Sequence, residues 1–147
     1  MQTNKIEFRR IARWFLALAA VVYAAASIIS AYVSPTQYAN CEKDTKDLNG
    51  GIKTFGGQQF NIVLCGDGGD ENLMNDKVRM QILSESGVLL AQRTFQVDWE
   101  SNRLRELAYG EDYLIYFDAS QNNNYKHKVN MPPTWFDWVR ARLPLAN

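Results

Sequence analysis

The stretch KVRMQILSESGVLLAQRTFQVDW, residues 77–99, decides the fold class. Apolar and polar residues alternate through Val78–Leu83 and again through Val88–Trp99, which predicts two half-buried strands. Between them, Ser84–Gly87 is typical of a turn. The stretch therefore predicts an antiparallel hairpin. One face of its first strand carries Val78, Met80 and Ile82, and one face of its second strand carries Ala91, Arg93, Phe95, Val97 and Trp99.

Further strands are predicted on both sides of this hairpin. Before it, QFNIVLC, residues 59–65, has apolar side chains at alternate positions. After it, short strands are predicted around Leu104–Tyr109 and Tyr113–Phe117, and QNNNYKHK, residues 121–128, is predicted as a loop. Strands at this spacing, followed by one terminal helix, predict a mainly β, α+β domain built as a small antiparallel sheet or sandwich.

A short C-terminal helix is predicted to close the sheet. Pro132 and Pro133 precede Thr134, and Thr134 together with Asp137 is typical of a capping box at a helix start. The apolar face of this helix is predicted to pack against the sheet, and it consists of Trp135, Phe136, Trp138, Val139 and Leu143. The combination of Trp and Arg would also suit a membrane interface or the groove of a partner protein.

The N-terminal segment is predicted to be a membrane anchor. Residues 14–33 contain no charge, proline or glycine, and a helix of that length spans the hydrocarbon core of about 30 Å. The flank 1–13 carries Lys5 and three arginines, so we expect it to stay in the cytoplasm and residues beyond the helix to be periplasmic. The alternative is a cleaved signal peptide, because Ala24–Ala26 offers a cleavage site.

The remaining chain is predicted to hold one exported domain. Residues 34–58 are polar and contain two glycine pairs, which predicts a tether that adds little to the core, and residues 59–147 form the β-rich domain. Residues 1–33 carry a net charge of +3, whereas residues 34–147 carry twelve basic and fifteen acidic side chains. An acidic domain without a basic stripe disfavours nucleic-acid binding.

Two cysteines, Cys41 and Cys65, both lie beyond the predicted anchor. In an oxidising compartment they are expected to form a disulfide that fastens the tether to the first strand. Two buried free thiols are the alternative. Neither cysteine has a neighbouring histidine, so a zinc site is not predicted.

The segment CGDGGDENLMND, residues 65–76, is the most conspicuous polar connection. Its glycine spacing does not match a dinucleotide-binding loop, and its carboxylates would repel phosphate. It also lacks the spacing of an EF-hand, which leaves calcium as a weaker alternative. We expect either a solvated connection or an acidic contact surface for a basic protein, and that surface would consist of Asp67, Asp70, Glu71 and Asp76.

No catalytic constellation is predicted. His127 is the single histidine, and the KHK segment around it indicates a solvated surface residue. Nucleophilic catalysis needs a nucleophile, a base and an orienting group, and no nucleophile-elbow motif is present. The acidic residues fall mostly in predicted turns, which favours solvation over a carboxylate pair. The sequence therefore predicts a protein that is not an enzyme and has no cofactor, metal or evident small-molecule substrate.

The chain resembles small single-pass inner-membrane immunity proteins of Gram-negative bacteria, which accompany toxins delivered by type VI or related secretion systems. The resemblance lies in the arrangement of anchor and exported domain, in VDW (97–99), in RELAYG (105–110) and in the ending MPPTWFDWVRARLP (131–144). It implies a non-catalytic periplasmic domain that binds a secreted toxin. A small bitopic subunit or regulator of an envelope complex is the alternative with similar composition, and an enzyme is the third class.

Overall fold

The computed structural model describes residues 3–33, 38–68, 75–100 and 104–143. The chain forms two compact units, residues 1–35 and residues 36–147. Its helices and strands follow the order α1 (Thr3–Val33), α2 (Cys41–Asp47), β1 (Gly51–Phe55), β2 (Gln58–Gly66), β3 (Asn75–Ser84), β4 (Leu89–Asp98), β5 (Ala108–Tyr109), β6 (Tyr113–Phe117), β7 (Lys126–Asn130) and α3 (Trp135–Arg140). The predicted class, mainly β with an apolar N-terminal helix and a short C-terminal helix, is confirmed.

Helix α1 accounts for the described part of the first unit. Its stretch Ala12–Ile29 is long and apolar enough to cross a membrane, and it overlaps the predicted anchor at 14–33. The helix begins at Thr3, so most of the predicted basic flank belongs to the same helix. At 1.5 Å per residue, α1 is about 46 Å long.

A four-stranded antiparallel sheet in the order β1-β2-β3-β4 forms the larger half of the second unit. The predicted hairpin is its β3–β4 pair, in which Ile82 lies opposite Ala91. On the other side of β3, Ile82 lies opposite Ile62 of β2. These three residues are fully buried, because a period of two places one face of every strand on the core.

The smaller sheet has the order β5-β6-β7 and is also antiparallel. Asp118, just after β6, connects it to β4: its Oδ1 accepts a hydrogen bond from the Gln96 N–H (3.1 Å), and the Gln96 carbonyl accepts one from the Ala119 N–H (2.8 Å). Burial acts to raise the pKa of Asp118, but hydrogen bonds from Ser120 and Gln96 outweigh it and hold the pKa below its usual value.

One hydrophobic core lies between these elements. Its buried side chains are Leu48, Phe55, Phe60, Ile62, Leu64, Val78, Met80, Ile82, Ala91, Phe95, Val97, Leu107, Leu114, Val129 and Met131. Both sheets and the segment before β1 contribute to it.

The prediction that residues 34–58 form a tether of little importance to the core is wrong for most of that range. Residues 41–55 contain α2 and β1, and Leu48 and Phe55 are buried. Gly56 and Gly57 have positive φ angles and form the two-residue turn between β1 and β2, which requires this conformation. The glycine pair that suggested a linker is therefore a hairpin turn.

Two further predictions are corrected in the smaller sheet. Residues 126–128 belong to strand β7, not to a loop, because they pair with β6 even though only Val129 of this strand is buried. The predicted strand at Leu104–Tyr109 is reduced to Ala108–Tyr109. Leu107 is buried just before it and its N–H donates to the Leu48 carbonyl (2.9 Å), so this segment packs on the core without extending the ladder.

Candidate binding surfaces

Asp67 and Asp76, the two described members of the predicted acidic surface, lie at one end of the larger sheet. Asp67 is fixed there because its N–H donates to the Lys77 carbonyl (2.9 Å) and its Oδ1 accepts from the Lys77 N–H (3.3 Å). Asp98 stands opposite Asn75 in the β3–β4 register, which brings it close to Asp76. Two other members of the predicted surface, Asp70 and Glu71, lie outside the described residues.

Asp76 has a structural contact that the sequence did not indicate. Its Oδ2 accepts a hydrogen bond from the Trp99 indole N–H (2.7 Å). The Lys43 ammonium and the Arg105 guanidinium each lie 5.7 Å from the Trp99 ring centroid. Asp76 therefore supports Trp99 at the junction of α2, β4 and the segment after it.

The disulfide between Cys41 and Cys65 is present, as predicted. It joins the first residue of α2 to β2. Beside it, the Ala39 N–H donates to the Gly66 carbonyl (2.7 Å), and Asp44 Oδ2 accepts from the Gly66 N–H (2.6 Å). Three separate bonds thus fasten the start of the second unit to the end of one strand.

Burial raises the pKa of Asp44, although its hydrogen bond from Gly66 opposes the shift. The contact depends on glycine at position 66, since a Cβ there would lie 2.8 Å from Asp44 Oδ2. Thr45 adds a second contact, because its Oγ1 accepts from the Leu64 N–H (2.9 Å). Asp44 and Thr45 of α2 therefore position the chain that enters the domain.

Helix α3 begins with the predicted capping box. Asp137 Oδ2 accepts hydrogen bonds from the Thr134 N–H (2.9 Å) and hydroxyl (2.6 Å), and Thr134 Oγ1 accepts from the Asp137 N–H (3.3 Å). The other carboxylate oxygen of Asp137 pairs with the Arg93 guanidinium of β4. The two side chains are only 9% and 15% exposed, so one carboxylate both caps the helix and holds it against the sheet.

The apolar face predicted for α3 is not buried, and the prediction that Trp135 and Trp138 pack against the sheet is wrong. Trp135 is 72% exposed and Phe136 is 75% exposed. Trp138 is 39% exposed, far more than the buried side chains of the core. The residues facing the sheet are Asp137 and Ala141, one helical turn apart. The ion pair with Arg93 determines which face turns inward.

His127 is also placed differently from its prediction. It lies in β7 with its ring stacked on Tyr116 (5.1 Å between centroids), and its Nε2 is buried with no hydrogen-bond partner in the described part of the chain. Burial raises the pKa of Tyr116. Within the described ranges, no three His, Cys, Asp or Glu side chains are grouped as metal ligands.

Comparison with protein-family models, with curated proteins and with solved structures gave no match to this chain. The candidate surfaces therefore rest on its own geometry. One is the acidic end at Asp67, which the sequence predicted. The other is the exposed aromatic face of α3, for which the sequence offered a membrane interface or a partner groove only as the alternative to core packing.

Proposed function

We propose that this chain is a non-catalytic, membrane-anchored binding protein of the bacterial envelope, and specifically an immunity protein that neutralises a secreted toxin. In this proposal α1 crosses the inner membrane with its N-terminus in the cytoplasm, in keeping with the positive charge of residues 1–33. The disulfide supports a periplasmic location for the domain, since disulfides persist in oxidising compartments.

The observation that carries the proposal is the shortness of the connection between anchor and domain. Helix α1 ends at Val33, and Ala39 is already bonded to Gly66. The six steps from Val33 to Ala39 span at most about 22 Å when fully extended. A domain on such a connection stays at the membrane face, where tethering raises its effective concentration toward anything that acts there.

The contact surface for the toxin is proposed to be the acidic end of the larger sheet. Asp67 is held by the backbone of Lys77, and Asp70 and Glu71 follow in the sequence. Carboxylates grouped in this way would attract a basic cleft and accelerate encounter with it. Asp76 contributes charge here, but its bond to Trp99 makes it a structural residue as well.

A growth assay tests this function. The product of the gene adjacent to this one is directed to the periplasm, in cells with and without this chain. We expect the product alone to arrest growth. Production of this chain in the same cells should restore growth. The triple variant Asp67→Asn, Asp70→Asn, Glu71→Gln is expected to lose most of the protection, because the steering charge is removed. Asp76 is left intact so that Trp99 keeps its hydrogen bond.

The matched control removes three charges elsewhere: Glu85→Gln, Glu111→Gln, Asp112→Asn, all exposed turn residues. It should protect like the unaltered chain. Protection that survives the Asp67 triple variant would refute the proposed surface but not the function. If the adjacent product is neither toxic nor bound, the function itself is wrong and a small bitopic subunit of an envelope complex is favoured.

A further inference from the structure

The two edges of the larger sheet differ in how far the rest of the chain covers them. Strand β4 forms one edge, and there the Gln96 N–H and carbonyl are bonded to Asp118 and Ala119, while the Leu89 carbonyl accepts a hydrogen bond from Arg142. Strand β1 forms the other edge. Its outward backbone groups have no such partners in the described part of the chain.

Beyond β1, the same edge continues as the last residues of β2, and this part is covered. Thr45 Oγ1 accepts from the Leu64 N–H (2.9 Å), and Asp44 Oδ2 accepts from the Gly66 N–H (2.6 Å). Helix α2 therefore supplies partners to the part of β2 that β1 does not reach. The open part of this edge is β1 itself.

The two-glycine turn after β1 identifies the backbone groups that face outward. In a two-residue hairpin the flanking residues, here Phe55 and Gln58, form a hydrogen-bonded pair. Bonded and non-bonded pairs alternate along an antiparallel ladder. The backbone of Lys53 therefore bonds to β2, whereas the N–H and carbonyl groups of Ile52 and Thr54 point away from it.

Strand β1 lacks the features that usually protect a sheet edge. It contains no proline, and its register with β2 has no bulge. Its single charged side chain, Lys53, is held on the inner side of the sheet, where Nζ donates to Asn49 Oδ1 (3.1 Å) and lies 4.7 Å from the Tyr109 ring centroid. On the outer side, Ile52 is 70% exposed. Such a strand is a template for pairing with another strand.

We propose that β1 pairs with β1 of a second copy of this chain, antiparallel and about a two-fold axis at Ile52. In this register Ile52 lies opposite Ile52 of the second copy, and each donates its N–H to the carbonyl of the other. The two exposed isoleucine side chains then lie side by side on the outer face. Two four-stranded sheets join into one, and the toxin-binding proposal is not required for this.

A second copy is the occupant because the sequence around β1 matches itself in this register. Lys53 lies opposite Gly51 of the second copy, and Thr54 lies opposite Gly50, so no like charges meet and no side chain obstructs the approach. A register centred on Lys53 would oppose two lysines, which is destabilising. One short strand buries less than the roughly 800 Å² per partner of a standard interface, so the association should be weak and depend on chain concentration.

Amide hydrogen exchange of the full chain in a non-ionic detergent, followed by NMR, tests the proposal without any substitution. We expect the Ile52 N–H to exchange more slowly as the chain concentration is raised. The Lys53 N–H is the internal control, because it bonds to β2 in the single chain and in the dimer alike, and its exchange rate should not change. An Ile52 exchange rate that is independent of chain concentration would overturn the proposal.

Single cysteines locate the contact. The Cα atoms of a hydrogen-bonded antiparallel pair are about 5.5 Å apart, a distance that a disulfide spans. Ile52→Cys should therefore form a disulfide-linked dimer when the chain is oxidised with copper phenanthroline. Leu104→Cys is the matched control, because Leu104 is equally exposed at 69% but lies beside Gln96 and Asp98 of β4, at the other edge of the sheet. It should give little dimer.

Adding Thr54→Pro to Ile52→Cys should lower the dimer yield several-fold, because the lost N–H faces the second copy and takes no part in pairing with β2. Proline is tolerated at such positions of an edge strand, and the urea midpoint of the variant checks that it folds. Equal dimer yields with and without the proline, or from Ile52→Cys and Leu104→Cys, would refute the pairing. A higher yield from Lys53→Cys than from Ile52→Cys would also refute it, since Lys53 would then lie on the two-fold axis.

Discussion

Replacement of Arg93 by Met is expected to lower the free energy of unfolding of the second unit by about 3–5 kcal/mol, the largest effect expected of any single substitution. Arg93 and Asp137 are nearly buried, and removal of one partner leaves the carboxylate of Asp137 without its opposite charge. Urea unfolding of the full chain in a non-ionic detergent, followed by circular dichroism, measures the change.

Arg142→Met is the matched control. Arg142 also connects α3 to β4, through the Leu89 carbonyl, but it is exposed, so we expect a loss of about 1 kcal/mol or less. Equal effects of the two substitutions would contradict the assignment of the ion pair as the main attachment of α3.

The stabilisation by Asp137 should also depend on pH. Burial acts to raise the pKa of Asp137, but hydrogen bonds from Thr134 and Arg93 outweigh it and place the pKa below the usual 3.8. A carboxyl group with a lower pKa in the folded state stabilises the fold above pH 3.8 and loses that contribution as the pH falls through the folded value. The difference between the unaltered chain and Arg93→Met should therefore narrow under strongly acidic conditions.

Removal of the disulfide by Cys41→Ser with Cys65→Ser is expected to cost about 3–4 kcal/mol. The two cysteines are 24 residues apart, and opening a loop of that length returns conformational entropy to the unfolded chain. The same urea titration measures the loss, and the unaltered chain in the presence of a reductant should behave like the double variant. If reduction leaves the unfolding midpoint unchanged, Asp44, Thr45 and the Ala39 bond alone hold the start of the domain.

The strands of the larger sheet were predictable because one face of each is apolar at every second position. Ile62, Ile82 and Ala91 are fully buried in adjacent strands, as the alternation in the sequence requires. Strand β1 was not predictable in this way, since Ile52 is exposed and the strand is fixed by pairing with β2. The pairing of β1 with β2 and the burial of Phe55 depend on tertiary structure and cannot be read from the local sequence.

The orientation of α3 was missed for a reason that the sequence did contain. Arg93 occupies an inward-facing position in β4, between Ala91 and Phe95, and a buried guanidinium requires a buried partner. Asp137 is the single carboxylate of α3, so pairing it with Arg93 turns Trp135 and Phe136 outward. Apolar periodicity alone assigned the opposite face to the core, because this criterion places only apolar residues there and does not allow for a buried charged pair.

The sequence indicated the negative charge of the acidic segment but not the contacts that its side chains make. Asp67 and Asp76 lie at the sheet end that the sequence indicated, yet the hydrogen bond from Trp99 to Asp76 joins residues 23 positions apart and has no local signal. His127 is similar, since its contact with Tyr116 depends on the pairing of β7 with β6.

The intact mass of the chain purified from membranes, measured after alkylation without reduction, tests most directly whether an uncleaved anchor holds a disulfide-bonded domain outside the cytoplasm. We expect the mass of the whole chain, 16.8 kDa, with no alkyl group added, and two alkyl groups only after reduction. A mass that lacks the residues up to about Ala26, or two alkyl groups without reduction, would contradict the account.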